Sequence, residues 1–92
     1  MYRIKITSRF KRSYKLARKR GLDMQLLDHI IGQLQQGLPL DPKYRDHALQ
    51  GSYSGFRECH IQSDWLLLYL LEDDILILTL VDTGTHSDLF EK

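Results

Sequence analysis

Four histidines, His29, His47, His60 and His86, are the side chains of this 92-residue chain whose ordinary titration lies near neutral pH. His47, His60 and His86 lie in the second half, each in a different segment, and Asp64 follows His60 across Ile61-Gln62-Ser63. Brought together, imidazoles and a carboxylate could cleave RNA without a metal. The 2′-hydroxyl attacks the neighbouring phosphate in line. One imidazole takes its proton, another protonates the leaving 5′-oxygen, and a third, or an Arg or Lys, steadies the charged phosphorane. Asp64 could orient an imidazole, favour its charged form, or itself take the proton; the sequence leaves these roles open. Lys43, Arg45 and Arg57 are candidate phosphate binders. Phe90 and Trp65 could stack an unpaired base or fill core space.

Other chemistries find less support. The chain has no H-x-x-x-H, no C-x-x-C and only one cysteine, Cys59, so no metal and no cofactor is expected. There is no G-x-S-x-G nucleophile elbow, and Gly51-Ser52-Tyr53-Ser54-Gly55 lacks the lysine of a phosphate loop and reads as turns. A lone cysteine suits a reducing compartment. The first ten residues alternate basic and apolar types, unlike a signal peptide, and the longest apolar runs are broken by Glu72, Asp73 and Asp74. A cytoplasmic protein with no membrane contact is expected.

Which elements would position these groups? Residues 2–7 alternate as a half-buried strand does. Ser8 is a plausible cap for a helix over 9–20 that places Phe10, Tyr14 and Ala17 on one face. Asp23 can cap a second helix over 24–36, with Leu26, Leu27, Ile30, Ile31 and Leu34 as its apolar stripe and His29 opposite it, in solvent. A short turn between helices predicts an antiparallel hairpin. Residues 38–56 read as a long polar connection. Strands are predicted over 57–61, 65–72 and 75–81, followed by a short C-terminal turn. In the first of these, Cys59 and Ile61 share one face while Glu58 and His60 share the other. The expected architecture is a single α+β domain over residues 1–92, in the order β-α-α-β-β-β. Its helical hairpin covers one face of a small, mainly antiparallel sheet and leaves the other face to solvent or a partner.

The net charge of +1 hides an asymmetry. Residues 1–20 carry nine basic side chains (Arg3, Lys5, Arg9, Lys11, Arg12, Lys15, Arg18, Lys19, Arg20), and all 12 acids lie from Asp23 onward. Of these, Lys11, Arg12, Lys15, Arg18 and Lys19 would form the polar face of the first helix, a footprint for a polyanion or an acidic protein.

Three segments occur in this order: D-H-x-L-x-G-x-x-x-G-x-R from Asp46, H-x-x-x-D-W from His60, and T-G-T-H-x-x-L-F from Thr83. With them, almost the whole chain resembles the YafQ subgroup of the RelE/ParE toxin superfamily. The resemblance implies a type II toxin: a ribosome-dependent endoribonuclease that cuts mRNA in the decoding site. It implies catalytic positions at His47, His60, Asp64 and His86, and a position that holds mRNA at Phe90. It also implies a cognate antitoxin, an acidic DinJ-like chain, with operator DNA reached only through that complex. The basic first helix would face antitoxin in one state and ribosomal RNA in the other. A ParE-like toxin that binds gyrase, without nuclease activity, would share the fold but have no need of the histidines. One position departs from the pattern: before T-G-[ST]-H, where the subgroup usually has arginine, stands Asp82. Another cation then serves, or Asp82 turns away, or the toxin is weakened and acts as an antitoxin partner or co-repressor.

Overall fold

The computed structural model describes residues 1–90. Its elements are β1 (Arg3–Ile6), α1 (Ser8–Lys19), α2 (Met24–Gln35), β2 (His47–Ala48), β3 (Arg57–Gln62), β4 (Trp65–Glu72), β5 (Ile77–Gly84) and α3 (His86–Phe90). The strands form one sheet in the order β1-β5-β4-β3-β2. β1 runs parallel to β5, and the other neighbours pair antiparallel. The α+β class and the mainly antiparallel sheet match expectation.

Local chemistry explains the helix limits. Thr7, not Ser8, caps α1: its hydroxyl oxygen accepts from the Phe10 N–H at 3.0 Å and donates to the Val81 carbonyl at 2.6 Å. The cap therefore also ties the helix start to β5. Asp23 caps α2 through the Leu26 N–H at 3.3 Å, as expected. Tyr14 of α1 donates to Asp28 of α2 at 3.1 Å, stitching the hairpin. Phe10, Ala17, Leu27, Ile30 and Leu34 bury against Cys59, Ile61, Trp65, Leu67, Tyr69, Leu78 and Leu80 on one sheet face.

Three expectations change. The long connection is not without structure: it contains short 3₁₀ turns at Pro42–Tyr44 and Gly51–Tyr53, and β2, which pairs His47 with Glu58 and Ala48 with Arg57. The last strand starts later and ends later than the apolar run suggested. Ile75 and Leu76 lie exposed in the turn, Leu76 with a positive φ of 55°, and pairing continues through Thr83 and Gly84. The second sheet face is not wholly open. Leu66, Leu68 and Leu89 form a smaller core there, flanked by Leu49, Phe56, Val81 and Phe90, because the tail folds back as α3. His47 on β2 and His60 on β3 lie beside α3, and His86 opens that helix.

Candidate active site

β3 starts the site. Its period-2 alternation sends Cys59 and Ile61 into the main core and Glu58 and His60 to the opposite face. β2 adds His47 directly opposite Glu58. β5 leads into α3, whose first residue is His86. The three imidazoles therefore form a row: ring centroids lie 6.1 Å apart between His47 and His60, and 5.7 Å between His60 and His86. Phe90 follows one helical turn later, 6.5 Å from the His86 ring and edge-on to Tyr53 at 4.9 Å.

Two carboxylates serve the row. Asp64, in the tight turn between β3 and β4, accepts from both the His86 backbone N–H at 3.0 Å and the His86 Nδ1 at 2.8 Å. These bonds hold its carboxyl below the usual range, the backbone bond being the larger cause. Asp64 thus favours its ionised form and grips His86 by the Nδ1 edge. It fixes the tautomer and leaves His86 Nε2 facing out. The second carboxylate, Glu58, was not singled out from sequence. It is 4 % exposed, and one oxygen lies 3.5 Å from His47 Nε2 and 3.4 Å from His60 Nε2. A buried carboxylate needs partners, and Glu58 finds them in two imidazoles at once. Its strand parity with His60 was the signal available.

α3 is too short to be stable alone, so its anchors matter. Leu89 is 1 % exposed in the smaller core. Thr85 and Asp88 cap each other reciprocally, Thr85 N–H to Asp88 and Asp88 N–H to the Thr85 hydroxyl, both at 3.0 Å. Asp88 also pairs with Arg20 at the end of α1, at 2.9 Å. Gly84 permits the close approach, since a Cβ there would meet the Asp88 Cβ at 2.8 Å.

The candidate phosphate binders separate. Lys43 and Arg45 line a groove of about 510 Å³ with Tyr44, His60, Gln62 and Ser63, so cations do flank the row. Arg57 does not join them. Its parity is that of Cys59, and its guanidinium binds Asp46 at 3.0 Å and the Tyr69 oxygen at 3.3 Å on the helix-covered side. Asp82 also turns away. The β4–β5 register slips between the pairs Tyr69–Leu80 and Leu68–Asp82. At this bulge the Asp82 carboxylate, in a residue 4 % exposed, meets α1: it accepts from Arg9 Nη2 at 2.8 Å, Ser13 Oγ at 2.5 Å and the Thr83 N–H at 2.8 Å. The Asp82 carboxylate is therefore buried against α1 and paired with Arg9, away from the histidine row. Of the basic face of α1, Lys11, Lys15 and Arg18 border a hollow with Ile4, Ile6, Phe10 and Ile31, while Arg12 and Lys19 are exposed. His29 is exposed, as expected.

Residues 2–91 match the family model described as bacterial toxin of type II toxin-antitoxin system, YafQ. The mRNA interferase toxin YafQ of Escherichia coli (strain K12) is 41% identical over 88 residues, covering 95% of this chain and 94% of that one. The E. coli DinJ-YafQ complex contains a chain 40% identical, with a TM-score of 0.89 over 98% of this chain and 99% of that one. A metal-bound toxin from Helicobacter pylori is 41% identical, with a TM-score of 0.91 over 98% of this chain and 100% of that one. The chain belongs to the YafQ family of type II toxin–antitoxin toxins.

Proposed function

We propose that this chain is an mRNA interferase that cuts mRNA on the ribosome, in the cytoplasm, by metal-free acid–base catalysis, and that an acidic DinJ-like antitoxin holds it in check. The observation that carries this reading is the row His47–His60–His86, with Glu58 and Asp64 behind it and the Lys43–Arg45 groove beside it. A gyrase-binding module has no use for such a row. The spacing of His60 and His86 suits a phosphate held between base and acid. The neutral ring takes the 2′-hydroxyl proton and the protonated ring supplies the 5′-oxygen. His86 works through Nε2, since Asp64 holds Nδ1. Lys43 and Arg45 grip backbone phosphates, and Phe90 stacks a base.

The test is translation of a reporter mRNA with purified protein and mapping of the cut ends. Parent protein yields 2′,3′-cyclic phosphate ends. His86→Ala lowers the cleavage rate by about 10²–10⁴-fold, the usual worth of a proton-transfer group. Cleavage unchanged by that substitution, or ends with a 3′-hydroxyl, refutes the mechanism. Antitoxin added in equimolar amount abolishes cleavage.

A second reading concerns a divalent cation. One ligand atom each from Glu58, His60 and His86 lie within 4.8 Å of one another. Zinc bonds of about 2.0–2.1 Å need donors roughly 3.3 Å apart, so the widest pair would close in by up to about 1.5 Å. They fit a zinc- or copper-type ion. Such an ion would bind the imidazole lone pairs that acid–base chemistry needs, and so inhibit. Full cleavage in chelator, lost on adding micromolar zinc, is the expected result; cleavage that requires the ion refutes the metal-free mechanism.

A further inference from the structure

We infer that Arg57, Asp46 and Tyr69 form a lock that positions His47 from the opposite, helix-covered face of the sheet. The inference rests on the nuclease reading of the histidine row. β2 is two residues long, and both are exposed. It has no buried side chain of its own to set its place, yet it carries His47. Next to it, Asp46 turns to the other face, as successive residues of an extended chain do. There the three groups close a ring of hydrogen bonds. Arg57 Nη2 donates to Asp46 at 3.0 Å, Arg57 Nε donates to the Tyr69 oxygen at 3.3 Å, and the Tyr69 hydroxyl donates to Asp46.

The register explains the reach. Arg57 stands opposite Ala48 on one side and opposite Tyr69 on the other, so it spans from the edge strand to β4. Tyr69 is 1 % exposed in the main core, which makes it a fixed post. Burial first, then the bond to Asp46, pushes its hydroxyl upward, so it remains a donor at neutral pH. Asp46 sits between the two residues that define the His47 ring. Arg45 adopts a left-handed conformation, φ 50°, and its carbonyl lies 2.6 Å from His47 Nδ1. That contact holds the ring by its Nδ1 edge and turns Nε2 towards Glu58 and the cleft. A left-handed non-glycine residue persists only where its surroundings hold it; the lock supplies that hold. Arg57 is therefore a positioning residue and touches no phosphate.

Tyr69→Phe is the clean test, because it removes one oxygen from a buried ring. Arg57→Lys tests the fork, which a single ammonium cannot reproduce. Each is compared with the parent in single-turnover cleavage of ribosome-bound reporter mRNA, and by nitrogen-15 NMR of the imidazoles. Tyr69→Phe is expected to lower the maximal rate about three- to tenfold with half-saturation unchanged, and to move the His47 Nδ1 signal while those of His60 and His86 stay. Added to His47→Ala, it has no further effect on rate, since the lock acts only through that ring. Half-saturation raised several-fold by Arg57→Lys, with rate and His47 signals unchanged, would overturn the inference and make Arg57 a phosphate contact. So would a full additive loss in the double variant. The parent, run alongside without any substitution, separates the two readings: no cleavage of ribosome-bound mRNA refutes the nuclease assignment, while the His47 signal still decides the lock.

Discussion

Asp82 offers the sharpest single perturbation, because a nearly buried carboxylate there ties β5 to α1 just before the Thr83-Gly84-Thr85-His86 segment. Replacing it by alanine removes three contacts of different worth. The Ser13 hydroxyl donates to an ionised, buried oxygen at 2.5 Å, a bond of about 1.5–3 kcal/mol. The Thr83 N–H, which donates at 2.8 Å in a residue 2 % exposed, is left without that acceptor, a penalty of about 1–3 kcal/mol. Arg9 contributes less, because its side chain is 45% exposed and solvent screens the pair; about 0–1 kcal/mol is appropriate. The sum centres on about 5 kcal/mol, which for a domain of this size lowers Tm by roughly 20–40 °C. Asp82→Asn keeps most of the geometry and costs about 1–2 kcal/mol. Urea denaturation followed by circular dichroism reads both, and reporter cleavage at low temperature reads the surviving activity. Asp82→Arg should be at least as destabilising as the alanine variant and bring no gain in cleavage. An arginine variant that folds with parental stability and cleaves faster would refute the argument, since it would mean that Asp82 faces the phosphate after all.

Other substitutions probe the rest of the site. Glu58→Gln removes the charge shared by His47 and His60, and should lower cleavage about tenfold or more and shift its pH profile, while Glu58→Asp recovers part of the loss. Gly84→Ala places a methyl 2.8 Å from the Asp88 Cβ, so α3 must lift; cleavage should fall by about tenfold, with thermal stability, read by calorimetry, reduced by about 1–3 kcal/mol. Cys59 is 0 % exposed, and burial pushes its thiol up to about 12. It should resist thiol reagents at neutral pH until the chain is unfolded in urea. The sign of its pH effect follows: the unfolded thiol ionises near 9.0, the folded one only near 12, so stability falls as pH rises between them.

Period and parity carried much of this structure in the sequence. Alternation in residues 57–61 put His60 and Glu58 on one face and Cys59 with Ile61 on the other; carried back two residues from Cys59 it would also have set Arg57 with Cys59, away from the phosphate role given to it. The capping role of Asp23 and the two apolar helix stripes were equally plain, because both are local. What stayed hidden depends on distant partners. β2 is too short to show a period and exists through its pairing with β3. Asp82 meets Arg9 and Ser13 from 73 and 69 residues away, at a bulge that no pattern of side chains announces. The fold-back of Leu89 closes the smaller core only after β5 has outrun its apolar stretch. Cap chemistry misled by one residue at Ser8, because Thr7 also satisfies the Val81 carbonyl.

The parallel pairing of β1 with β5 also sets an order of assembly. β3, β4 and β5 follow one another through short turns and can zip by local closure, whereas Arg3 must find Ile77 across nearly the whole chain. Closing so long a loop costs entropy before any contact repays it, so the first strand joins a sheet that already exists. The clamp of Asp82 on α1 belongs to that late docking. Its loss should therefore appear in stopped-flow measurements as faster unfolding, with the folding rate nearly unchanged. His60, Glu58 and Asp64 ride on the part that forms first, which makes the centre of the histidine row the oldest structure in each newly folded molecule.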